Sequence, residues 1–147
     1  MTQELVQQFF SVDLWVAGAA HFVVLCASFQ VPSRLKWKTD LAQLMPLNRK
    51  LLWVQSSFTV LTIIAFGVLT LVLHAELLRG DRAALGIACF IAVYWSARIG
   101  VDAFYFAHED WPAGRLMAVG HAALTLLFVF LAASYWGVFL WHAVGRA

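Results

Sequence analysis

The sequence predicts an all-helical integral membrane protein, built as one four-helix transmembrane bundle. Three observations predict it. Of 147 residues, 63% are hydrophobic and 12% are charged, against roughly 45–50% and roughly 25% in an average soluble domain. Four runs, at about 10–31, 51–75, 84–106 and 118–143, each supply the about 20 mostly apolar residues that cross a bilayer as a helix. All four are too long for barrel strands and lack strict alternation, and only helices and closed barrels satisfy their backbone in lipid. The runs occupy most of the chain. Residues 1–147 therefore read as a single transmembrane domain, with no soluble module and no basic domain for nucleic acid.

The first run follows "MTQELVQQFF", which lacks the basic n-region of a cleaved signal, and no small-residue cleavage motif succeeds it. The first span is expected to be retained. Residues 32–50, "PSRLKWKTDLAQLMPLNRK", set Arg34, Lys36, Lys38, Arg49 and Lys50 among Trp37, Leu41 and Leu44. This pattern predicts a short interfacial segment between spans one and two, apolar side down and lysines out. Asp40 is expected to cap a short helix there that ends before Pro46.

The second connection, 76–83, carries only Arg79 and Arg82, and no Lys or Arg precedes the first span. Basic residues in short loops mark the cytoplasmic side. The 32–50 segment is therefore expected inside and both termini outside. Short second and third connections favour up-down neighbours. In general character the chain resembles small four-span bacterial membrane proteins, which implies a multi-pass protein of the bacterial inner membrane. Trp111 and Pro112 mark the start of the fourth span, and Trp15, Trp53, Trp136 and Trp141 fall near interfaces, where indoles collect.

Span three repeats a small residue every fourth position: Ala84, Ala88, Ala92, Ser96, Gly100. Such a ladder lets a second helix approach closely, which matters because lipid supplies no hydrophobic drive for association. It serves either the bundle or a partner, as in a homo-oligomer or a larger membrane complex. Cys26 and Cys89 fall in opposite halves of the bilayer on this topology and read as small apolar residues rather than a disulfide.

At 100° per residue each span carries one polar stripe. These are His21 and Ser28 in span one, Gln55, Thr59, Thr62 and Thr70 in span two, Trp95, Arg98, Asp102 and Tyr105 in span three, and His121, Thr125 and Tyr135 in span four. By helical rise Asp102 lies roughly 6 Å and Arg98 roughly 12 Å from the inner end, while Gln55 and His121 lie roughly 5 Å in and Thr59 and Thr125 roughly 11 Å. The stripes therefore predict a polar pocket in the cytoplasmic half, formed by Arg98, Asp102, Gln55, His121, Thr59, Thr125, Tyr105 and His21. A lone charge near mid-bilayer costs at least about 2.5–3.5 kcal/mol. Arg98 and Asp102 are therefore expected to pair at i, i+4, with Gln55 or His121 beside them.

Five histidines raise the question of haem b. His74 and His142 match in depth near the outer ends of their spans and are the weak candidates, whereas His21 and His121 differ by roughly 10 Å. No cofactor is expected. His108, Glu109 and Asp110 are consecutive and cannot all face one metal ion from a helix, and Asp13 with His74 and His142 is a weaker metal set still. No phosphate loop, H-E-x-x-H, G-x-S-x-G or C-x-x-C occurs. Three functions remain. One is a non-catalytic protein that binds a small ligand, lipid or quinone-like molecule or serves as an accessory subunit. Another is an electron carrier or oxidoreductase using haem b or quinone. The last is an oligomeric proton- or ion-coupled carrier with Asp102 and His121 titrating.

Overall fold

The computed structural model describes residues 2–34, 36–106 and 114–145. Among them every regular element is helical and no strand occurs. Four helices are long and apolar enough to cross a membrane. They are α1 (Thr2–Ser28), α4 (Pro46–Val72), α6 (Arg82–Phe104) and α7 (Arg115–Val144). Two short helices, α2 (Val31–Arg34) and α3 (Trp37–Asp40), and a 3-10 turn (Leu41–Gln43) join α1 to α4. A third short helix, α5 (His74–Arg79), joins α4 to α6.

The ends of the long helices depart from the hydropathy limits for local reasons. Helix α1 starts eight residues before the first apolar run, because Gln, Glu and Leu in its opening turns are good helix formers that carry it on beyond the apolar stretch. Helix α4 starts at Pro46, whose fixed φ and missing N–H suit the first helical position. Asp40 does not act as the expected cap: it ends α3 in helical geometry and makes no side-chain cap bond. Lys36, at φ 51°, breaks α2 from α3 in a left-handed conformation that is uncommon for a residue with a Cβ.

Gly80 ends α5 at φ 72°. The Asp81 N–H reaches the Glu76 carbonyl at 3.1 Å and the Gly80 N–H the Leu77 carbonyl at 3.2 Å, a Schellman pattern. A Cβ on Gly80 would lie 2.5 Å from Nδ1 of His142, so glycine is required there for both backbone and space.

The four long helices and α5 share one core. Helix α6 packs along α7, α7 also meets α1, and α1 lies along α4. The α1–α4 contact is a close backbone approach: a Cβ on Gly67 would sit 2.9 Å from the Phe22 ring and 3.2 Å from the Gly18 carbonyl. The small-residue ladder of α6 is buried at Ala84, Ala88 and Ala92. It opens at its last two steps, since Ser96 is exposed and a Cβ on Gly100 would meet nothing within 4 Å. Large apolar side chains cover the outside, among them Phe104, Leu126, Leu116 and Val72. That much exposed apolar surface is suited to lipid rather than to water.

Candidate functional site

Asp102 lies in the last turn of α6, where the carbonyl end of the helix dipole disfavours a carboxylate. Its donors come from α7 instead. His121 and Thr125 are one turn apart on α7 and therefore share a face. Thr125 donates its hydroxyl to Oδ2 of Asp102 at 3.1 Å, and Nε2 of His121 lies 3.4 Å from the same oxygen. The Asp102 side chain is only 7% exposed, while that of His121 is 31% exposed. This makes a carboxylate centre that is dry on one side and open on the other.

Arg98, one turn earlier on α6, does not close the expected i, i+4 pair with Asp102. Its guanidinium carbon sits 5.5 Å from the centroid of the Phe128 ring, a cation–π contact. Phe128 in turn stacks on Trp95 with ring centroids 5.0 Å apart and planes at 22°. Asp102 turns towards two donors on α7, and Arg98 turns over an aromatic face, so the two charges part although their spacing permits contact. Among the described residues, no carboxylate or hydrogen-bond acceptor pairs with Arg98.

The other predicted pocket residues lie apart from this centre. Gln55 is exposed on α4 and lines a groove with Trp37, Leu51 and Val54. Thr59 is exposed and returns its hydroxyl to the Gln55 carbonyl at 3.1 Å. Tyr105 is 81% exposed and meets Phe106 edge-on. His21 is fully buried in the middle of the core. The structure therefore brings together Asp102, His121 and Thr125, with Arg98 one turn away, and does not bring Gln55, Thr59, Tyr105 or His21 to them.

The surroundings of His21 define its chemistry. Its Nδ1 lies 2.8 Å from the Ala17 carbonyl, and its Nε2 accepts the Trp95 indole N–H at 3.1 Å. A carbonyl can only accept and an indole N–H can only donate. The ring is therefore the neutral tautomer with the proton on Nδ1, and both nitrogens are engaged. The Phe66 and Tyr135 rings close around it edge-on. Further along, Tyr135 bonds to Thr70, which donates its own hydroxyl to the Phe66 carbonyl at 2.7 Å.

No protein-family model, curated protein or solved structure matches this chain. Its chemistry is therefore read from its own residues. At the α5 end, Nε2 of His74 faces the Ser11 carbonyl at 3.0 Å, and Nε2 of His142 faces the Leu77 carbonyl at 3.1 Å. Each ring therefore donates its Nε2–H to a carbonyl, which fixes its tautomer with the lone pair on Nδ1. Both histidines thus tie α5 and its flanks to the terminal helices. Ser134 donates to Oδ1 of Asp13 at 3.0 Å, and Oδ2 of Asp13 is buried without a partner among the described residues. Also among the described residues, no group of three His, Cys, Asp or Glu side chains is placed to hold a metal ion, so Asp13, His74 and His142 do not form one. His108, Glu109 and Asp110 lie outside the described residues. Cys26 and Cys89 are free thiols.

Sequence periodicity placed Trp95, His21, Thr70 and Tyr135 on polar stripes but did not pair Trp95 with His21 or Thr70 with Tyr135. The Asp13–Ser134 bond escaped it, because a serine in an apolar run carries no signal of which helix it faces.

Proposed function

We propose that this chain is a multi-pass membrane protein, an up-down four-helix bundle of the bacterial inner membrane with both termini outside and the α2–α3 segment at the cytoplasmic interface. In this reading it binds an amphipathic small molecule in the cytoplasmic half and has no catalysis of its own. The observation that carries the reading is the α6–α7 centre. Asp102 is held by Thr125 and His121, while Arg98, one turn deeper, has no anion among the described residues. An intramembrane arginine without an anion is costly and marks a ligand site by default. The planar guanidinium fits a carboxylate or the carbonyl of a quinone-like head, and the apolar body of such a ligand would lie on the lipid-facing surface of α6 and α7.

Both nitrogens of His21 are engaged, which favours this reading over haem ligation in the core, while His74 and His142 each hold a backbone carbonyl at the α5 end. A proton-coupled carrier titrating at Asp102 and His121 would need a relay onward through the core, where the bonds of Thr70 and His21 each end on a backbone carbonyl. The test is a titration of the purified protein with nitroxide-labelled stearate and with decylubiquinone, read by tryptophan quenching. One of the two probes should saturate, and Arg98→Leu should weaken it by about tenfold or more, the worth of a charge-assisted hydrogen bond. Equal quenching of wild type and Arg98→Leu by both probes would refute the reading.

A further inference from the structure

A second, independent feature lies at the α2–α3 end of the molecule. A cleft of about 550 Å³ opens between α3 and the first turns of α4, bordered by Pro32, Trp37, Lys38, Leu41, Arg49 and Trp53. Trp37 and Trp53 meet edge-on with centroids 6.0 Å apart and pin the connecting segment to α4. The left-handed turn at Lys36 folds the segment back into this position. Two cations, Lys38 and Arg49, line the cleft, and among the described residues no acidic side chain borders it. Among the described residues neither cation is in an ion pair. Met45 before α4 gives no side-chain cap, so the first amides of that helix add to the positive field beside Arg49.

The cleft continues into apolar surface. Leu51, Val54, Phe58 and Leu61 are all exposed on α4. Their spacing of three and four places them on one stripe, running from the cleft along a helix long and apolar enough to cross the membrane. The groove beside Gln55, Leu51 and Val54 lies on the same path. Cations and indoles at the mouth, with an apolar track leading away, match a phosphate joined to an acyl chain.

We propose that this cleft binds an anionic phospholipid, its phosphate between Lys38 and Arg49, its glycerol against Trp37 and Trp53, and one acyl chain along Leu51, Val54, Phe58 and Leu61. A soluble phosphate would use the cations but not the stripe. A zwitterionic lipid would use the stripe but gain little from two unpaired cations, each worth a several-fold preference for anionic lipid at a membrane surface. The site requires that α4 spans the bilayer and does not involve Arg98, Asp102 or His121.

The test uses the full chain reconstituted in phosphatidylcholine bilayers, with brominated phosphatidylglycerol or brominated phosphatidylcholine as the probe. Bromine quenches nearby indoles, so the part of the quenching that is lost when Trp37 and Trp53 are replaced reports occupancy of the cleft, as distinct from the chain's other five tryptophans. Brominated phosphatidylglycerol should quench at much lower mole fraction than brominated phosphatidylcholine. Lys38→Gln with Arg49→Gln should remove that preference, a change of about 30-fold, and Trp37→Phe with Trp53→Phe should remove the quenching component that saturates at low mole fraction of brominated phosphatidylglycerol. Circular dichroism checks that the variants keep their helix content. If the charge variant fails to fold, the comparison of the two lipids on the wild-type chain still decides. Equal quenching by both lipids, an unchanged preference in the charge variant, or displacement of the probe by inorganic phosphate would overturn the proposal.

Discussion

Trp95 on α6 donates its indole N–H to Nε2 of His21 on α1, 3.1 Å away, at the centre of the core. Both side chains are essentially inaccessible, so each is the other's means of leaving water. Trp95→Phe would strand the His21 nitrogen and is expected to cost about 1–3 kcal/mol. His21→Leu would strand the indole at similar cost. Thermal unfolding in detergent should show the double variant to be less destabilised than the sum of the singles, and strict additivity would count against the bond.

Arg98 and Asp102 are separate features, and a double-mutant cycle reads this directly. Asp102→Ala with Thr125→Ala should couple by about 0.5 kcal/mol or more, as groups in one hydrogen-bond network do. Arg98→Leu with Asp102→Ala should be additive within about 0.3–0.5 kcal/mol. Strong coupling in the second cycle would mean that the two charges pair after all.

The close approach of α1 and α4 predicts a contrast among glycines. Gly67→Leu should destabilise by about 1–3 kcal/mol through overpacking against Phe22 and the Gly18 carbonyl. Gly86→Leu, with nothing within 4 Å of its Cβ position, should change stability by less than about 0.5 kcal/mol. On the α6 ladder, Ala92→Leu should behave like the first of these, since Ala92 is fully buried. Helix content and melting temperature of the variants check all three.

The orientation proposed for the bundle is open to labelling. In a chain with Cys26→Ser and Cys89→Ser, Lys36→Cys should react with a membrane-impermeant maleimide only after cells are opened. Asp81→Cys should react in intact cells. Labelling of position 36 from outside would reverse the orientation and move the lipid cleft to the opposite leaflet.

Hydropathy alone reveals the four long helices, because about 20 apolar residues in a row permit little else. It misses their ends, since Pro46 and the polar turns before Phe10 extend helix beyond the apolar stretch. The polar stripes were legible in part: Asp102, His121 and Thr125 do meet, as their depth and spacing suggest. Gln55 was misplaced because depth ranks residues along the membrane normal but does not say which helices are neighbours. Helix α4 lies along α1, so matching depth does not bring Gln55 to Asp102. The Arg98–Asp102 pair failed for a similar reason. An i, i+4 spacing makes contact possible, but the facing helix offers each charge a different partner. The cleft at Lys38 and Arg49 was foreshadowed by the basic and aromatic residues of 32–50, but the turn at Lys36 that closes it against Trp53 has no sequence signature.

The histidine ties at the α5 end bear on how the molecule is made. His74 reaches Ser11 in the first helix and His142 reaches Leu77 from the last, while Asp13 is held by Ser134, 121 residues later in the chain. Synthesis runs from the N-terminus, so Asp13 is made long before the serine that holds it. A chain that stalls before Ser134 lacks the donor for this half-buried carboxyl, which leaves the incomplete product with a polar group the finished one has matched.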